Sequence, residues 1–171
     1  MLVVREVQPG SPAVAALAPG DILLRVNGKL VTTFEPLAEV LDGSVGRRIT
    51  LEIQRGSQLL SRELEVQDLD SVSPSRYLEF GDTVVHTVSW QMARHFNQPI
   101  RGVFVANPGY TLAAAGVPRG AVITRVNGTE VATLDDFAGA IARLGDGARS
   151  TLRFFTADDP TNLQTRSMHM D

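Results

Sequence analysis

Residues 22–28 read ILLRVNG, and residues 122–128 read VITRVNG. The correspondence continues outward from this pair at a constant offset of 100. Ala13, Ala15 and Gly20 answer to Ala113, Ala115 and Gly120, and Val31, Thr33, Leu37 and Leu41 answer to Val131, Thr133, Phe137 and Ile141. With small gaps the match also takes in Pro9-Gly10 against Pro108-Gly109, and residues 46–51 against 147–152. Self-similarity at one fixed spacing over most of a chain is the mark of a duplicated unit. The 171 residues therefore hold two related units rather than one larger domain. The expected boundaries are 1–68 for the first, 69–75 for a short polar linker within DLDSVSPS, and 76–171 for the second.

Each copy mixes strand and helix signals, which makes the expected class α+β. In the first, MLVVREV (1–7) is a short β-rich run, and Pro9-Gly10-Ser11-Pro12 turns into an alanine-rich helical turn over 13–17. Pro19-Gly20 stops it. The strand from Asp21 to Val26 ends in Asn27-Gly28, both tolerant of positive φ and suited to a tight hairpin. Thr33 is a candidate N-cap for a helix with Leu37, Val40 and Leu41 on one face, and Pro36 sits in its first turn, where a missing N–H costs little. RITLEIQ (48–54) and LLSRELEV (59–66) then alternate as an antiparallel pair around Arg55-Gly56-Ser57. The second copy repeats the order. Thr133-Leu134-Asp135-Asp136 reads as a capping box with Asp in place of Glu, ahead of Phe137, Ile141 and Leu144. Strands over 150–155 and 164–170 flank a turn at Asp158-Asp159-Pro160.

Composition narrows the function. Hydrophobic residues at 43% supply a core, and 16 Lys+Arg against 19 Asp+Glu leave a net charge of −3 with no basic cluster beyond Arg47-Arg48. That balance argues against a nucleic-acid groove or a polybasic membrane face. No apolar run is long enough to span a bilayer, and no cleavable leader follows Met1, so any export signal would lie outside this chain. The absence of cysteine removes disulfides, thiolate metal sites and a thiol nucleophile at once, and gives no compartment.

The series PGSPA, GDILLRVNGKLV, helix, alternating hairpin, present twice, resembles the PDZ domain of HtrA/Deg-type serine proteases. The stretches VVHTVSWQMARHF, PIRGVFVANPG, TLDDF and MHMD resemble the degenerate second PDZ of the long multi-PDZ branch, which has fungal nuclear and plant chloroplast members. The resemblance implies two small, mostly antiparallel, partly open sheets or barrels with two helices each. It also implies that an extended peptide adds a strand beside the longer helix, and that backbone N–H groups of a Φ-Gly-Φ loop hold the peptide carboxylate. Periplasm, nucleus and chloroplast are all compatible with it.

Two departures from the family pattern follow. The opening strand MLVV matches the strand after the docking strand, so the first unit is expected to lack its carboxylate loop and docking strand here. Its groove helix, with Phe34, Leu37 and Leu41, would then present an open edge able to self-associate. In the second unit the loop falls either at Tyr77-Leu78-Glu79-Phe80 or at Phe80-Gly81-Asp82-Thr83 leading into Val84-Val85-His86. Either register sets Glu79 or Asp82 beside the carboxylate position, where two charges ~4 Å apart repel by about 4 kcal/mol at an effective dielectric near 20. Weak binding of free C-termini is the expectation. Residues 77–82, Val84 and His86, with Phe137 and Ile141 on the facing helix, make up the candidate peptide site.

Catalytic and metal chemistry find no support. Neither Gly-x-Ser-Gly-Gly nor Gly-x-Ser-x-Gly occurs, and Ser11 and Ser44 read as turn serines. His86, His95 and His169 lack metal-ligand spacing, so no metal or cofactor is expected. Asp135-Asp136 and Asp158-Asp159 are accounted for by a helix cap and a turn, and Trp90 and Met92 by packing. The favoured reading is a non-catalytic, peptide-binding region of a trypsin-like endopeptidase whose partners are unfolded or peptide segments and its own protease domain. A stand-alone adaptor is the alternative.

Overall fold

The computed structural model describes residues 1–170, which divide into two compact units, Met1–Val72 and Ser73 onward. Both are α+β units built on an antiparallel sheet. Among the described residues, no helix is long and apolar enough to cross a membrane.

In the first unit, β1 (Leu2–Val3) pairs with β2 (Ile22–Val26), which also pairs with β3 (Lys29–Leu30) and with β4 (Arg48–Arg55). A 3-10 turn over Pro12–Ala15 and helix α1 (Phe34–Asp42) interrupt the strands, and β5 (Gln58–Glu65) closes the order β1-β2-β4-β5. The β-rich opening run contributes only two ladder residues, after which Val4 continues the contact by donating to Asp21 O at 2.8 Å. Ile49, Leu51 and Ile53 alternate inward from β4 and bury against Val26 and Val31.

The second unit has β6 (Tyr77–Phe80), β7 (Thr83–Thr87), helix α2 (Trp90–Phe96), β8 (Val103–Asn107), α3 (Gly109–Ala114), β9 (Ala121–Val126), β10 (Thr129–Glu130), α4 (Leu134–Ala142), β11 (Arg149–Thr156) and β12 (Asp159–His169). Its strand order is β12-β11-β9-β8-β7-β6, with β10 beside β9. The core gathers Val85, Val105, Leu112, Ile123, Phe137, Leu152, Phe154 and Met168. A smaller apolar cluster joins Val88, Ala93, Val122 and Phe155 under Met92 and Phe96 of α2.

The duplicated VNG has one structural cause in both units. Asn27 and Asn127 each adopt φ 49° as the first turn residue after the strand. Their side-chain Oδ1 atoms then accept from the next strand of the sheet, Thr50 N at 2.9 Å and Thr151 N at 2.8 Å. One residue thus makes the hairpin and ties it to β4 or β11. Substitution by a residue unable to do both would lose a turn and a cross-strand bond together.

Candidate peptide-binding grooves

The second unit carries a slot between the edge of β7 and helix α4, and the local sequence explains both walls. Along β7, Thr83 and Val85 point inward and are buried, while Val84 and His86 face the other side. On α4, Leu134, Phe137 and Ile141 recur at helical spacing and are buried. Thr133 caps the helix by accepting from Asp136 N at 3.1 Å, and the Asp136 carboxylate accepts in return from Thr133 N at 3.0 Å. The backbone N–H of Thr133, then its hydroxyl, hold the Asp136 carboxyl below the usual carboxylate range.

The slot is filled by β6. This strand runs antiparallel to β7 with Phe80 opposite Thr83, Glu79 opposite Val84, Leu78 opposite Val85 and Tyr77 opposite His86. Leu78 and Phe80, half-buried, face α4 and pack on its core, the Phe80 ring lying 5.9 Å from that of Phe137. One residue before the strand, the Arg76 guanidinium donates to the Asp135 carboxylate of α4 at 2.8 Å. Arg76, Leu78 and Phe80 therefore share the face turned to the helix. Tyr77, at 68% exposure, and Glu79 share the opposite one.

Gly81 and Asp82 form the two-residue turn between the strands, Gly81 at φ 58°. The turn is tied to the corner before α3. The Asp82 carboxylate accepts from Tyr110 N at 2.9 and 3.0 Å, Asn107 Nδ2 donates to Asp82 O at 3.0 Å, and the Thr83 hydroxyl donates to Pro108 O at 2.8 Å. Gly109, at φ 55°, lies so close to Asp82 that any Cβ there would collide with it. On the outer face the His86 ring stacks obliquely 5.1 Å from Phe104, and its Nδ1 donates to the Thr87 carbonyl at 2.7 Å.

Of the sequence-derived candidates, Leu78, Phe80, Phe137 and Ile141 come together in the slot. Tyr77, Glu79, Val84 and His86 lie on the far face of the hairpin, and Gly81 and Asp82 form its turn. Four residues of the slot are not among those candidates: Thr83, Val85, Arg76 and Asp135. The first two follow from carrying the inside–outside alternation of 78 and 80 across a two-residue turn. The ion pair involves 59 residues of separation and has no local signal. In the first unit, Phe34 is 66% exposed, and Leu37 and Leu41 are half-buried against the core. Among the described residues, no strand lies beside α1 as β7 and β6 lie beside α4.

Two antiparallel α+β units built from one repeated sequence, the second with a helix lying along the edge of its sheet, have the architecture of the PDZ class. Residues 71–147 match the model of the PDZ-like domain and residues 3–55 that of the PDZ domain; the chain belongs to the PDZ family as a tandem pair. It is similar to part of Protease Do-like 7 of Arabidopsis thaliana, 44% identical over 159 residues that cover 93% of this chain and 14% of that protein. It is also similar to the Pro-apoptotic serine protease NMA111 of Vanderwaltozyma polyspora, 31% identical over all of this chain and 17% of the relative. The corresponding Aspergillus fumigatus protein is 33% identical over the same shares. The chain thus spans 14% to 17% of the length of these relatives.

Proposed function

We propose that this tandem PDZ pair is the non-catalytic, peptide-binding regulatory region of a larger HtrA/Deg-type serine endopeptidase. The observation that carries the reading is similarity along essentially the whole chain to proteins named as serine proteases, joined to a doubled fold whose second unit sets helix α4 along the sheet edge, an arrangement suited to β-augmentation. Phe137 and Ile141 form the apolar wall of the second unit's groove, and the backbone of β7 between Val84 and His86 supplies its ladder. In the first unit, α1 offers Phe34, Leu37 and Leu41 to an added strand, contributed by a substrate segment or a second protomer. Protease activity belongs to other parts of the parent protein, and these units select or present what it cleaves.

The test is deletion in the parent. Removing this segment from the full-length protease should leave hydrolysis of a small chromogenic peptide within a few-fold of the intact protein and sharply reduce cleavage of unfolded casein. Equal loss of both, or of neither, would count against a substrate-recognition role. A display screen of internal and free C-terminal peptides against the 171-residue chain then identifies the ligand class directly.

A further inference from the structure

A strand that adds to a sheet edge beside an apolar helix gains two things at once, backbone hydrogen bonds and side-chain pockets at alternate positions. The second unit has such a place between β7 and α4, and the chain's own residues 76–80 take it. Their side chains satisfy every element of the slot: an aromatic ring on Phe137, an aliphatic side chain opposite Val85, and a cation on Asp135. The backbone runs on through Gly81-Asp82, and Asp82 is committed to Tyr110 N. The occupant is therefore an internal segment that needs no terminal carboxylate.

The hold on this occupant is slight. β6 has four residues, pairs on one side only, and ends the sheet. Neither of its inward side chains is fully buried, and its ion pair is exposed on both sides, at 69% and 71%. β7 on its other side is held by β8. The strand can leave without dismantling the core, which is the behaviour of a low-stability local unit. Resting on the peptide-binding reading above, we infer that the slot between β7 and α4 takes extended internal segments of pattern cation–x–aliphatic–x–aromatic, and that residues 76–80 occupy it in cis until a segment of that pattern displaces them. The resident strand sets the threshold a ligand must exceed, since only the fraction of molecules with an empty slot is competent to bind.

The test uses the 171-residue chain and a fluorescent peptide with the sequence of residues 74–82, capped at both ends, read by anisotropy. The Leu78→Asp/Phe80→Asp chain should bind this peptide saturably, at least about tenfold more tightly than the unaltered chain does. A peptide carrying the same two aspartates should bind neither. Equal affinity for both chains, or no binding by a variant whose Trp90 emission shows a folded second unit, overturns the inference. A charge swap covers failure of that variant to fold, because it alters exposed side chains only. The Asp135→Arg chain repels its own Arg76, and should bind a peptide with Asp at the Arg76 position about threefold to tenfold better than the unaltered chain does. No gain overturns the proposal. Tight, carboxylate-dependent binding of an uncapped peptide by the unaltered chain would also overturn it while leaving the peptide-binding reading intact. Binding of no peptide by any chain would end both.

Discussion

Helices α1 and α4 derive from the same repeated segment, and their fates differ. Phe34, Leu37 and Leu41 stand where Leu134, Phe137 and Ile141 stand one repeat later. All three of the α4 residues are buried, whereas α1 has no buried residue at all. The helices match in length, nine residues each, and both are amphipathic, so local propensity does not separate them. What separates them is the sheet beside the helix. In the second unit β7 and β6 add a layer that Phe137 packs against. In the first unit the described strands stop at the β1 edge, and the apolar stripe of α1 rests on the core with its outer flank in water. A helix stripe in this fold is thus half a groove, and it becomes core or stays partly in water according to which strand lies along it.

The sharpest way to break that comparison is to truncate the aligned pair. Phe137→Ala removes a fully buried ring and should cost the second unit about 3–5 kcal/mol, whereas Leu37→Ala, half-buried, should cost the first about 1 kcal/mol. The single tryptophan, Trp90, belongs to the second unit, so its emission in a urea titration isolates that unit. Far-UV circular dichroism and amide exchange follow the first. Equal costs would mean that the strand layer over α4 contributes no packing of its own.

A second difference runs the other way. Where Ala121 sits buried in the second unit, the first has Asp21, also buried and held by Arg55 through two bonds of 2.7 and 2.8 Å and by Ala18 N at 2.8 Å. The Arg55 bond, against the opposing cost of burial, lowers the Asp21 carboxyl from 3.8 to about 2. A depressed carboxylate stabilises the folded state fully above its unfolded pKa and loses that contribution as pH falls through the folded one. The first unit should therefore weaken between about pH 4 and pH 2 by on the order of 2 kcal/mol from this residue alone. Asp21→Ala should be destabilised by a similar amount at neutral pH and should flatten that acid limb. Urea midpoints of the two chains at pH 7, 4 and 2.5 check it, and parallel limbs in both would remove the ion pair as the cause.

These contrasts also mark what could be read without coordinates. The hairpins at Asn27-Gly28 and Asn127-Gly128, the cap at Thr133 and the inward alternation of Ile49, Leu51 and Ile53 are local, and short-range chemistry decides them. The stretch Tyr77-Leu78-Glu79-Phe80 is different. Its alternation suits an edge strand, its Φ-x-Φ character suits a binding loop, and only the tertiary partner, α4 more than 50 residues onward, distinguishes the two. Asp21 reads only as the first residue of a strand after Pro19-Gly20, with nothing local to mark it as half of a buried ion pair, because its partner Arg55 lies 34 residues away in a segment that itself reads as a turn.

The smallest effect is the most discriminating about the repeat. Thr33 and Thr133 are both extended N-caps ahead of a nine-residue helix, yet only Thr133 uses its hydroxyl. The reason is the third helical residue. Asp136 offers an N–H to Thr133 and a carboxylate in return; the aligned Pro36 has no N–H to give. Thr133→Ala should then cost the second unit about 1 kcal/mol, and Thr33→Ala should leave the first within about half of that. Pro36→Asp supplies the missing donor and acceptor together, so in that background Thr33→Ala should become destabilising. If the Thr33 substitution is as harmful in the unaltered chain as in the Pro36→Asp background, the threonine stabilises α1 through its extended backbone and not through a cap, and the two helices begin alike after all.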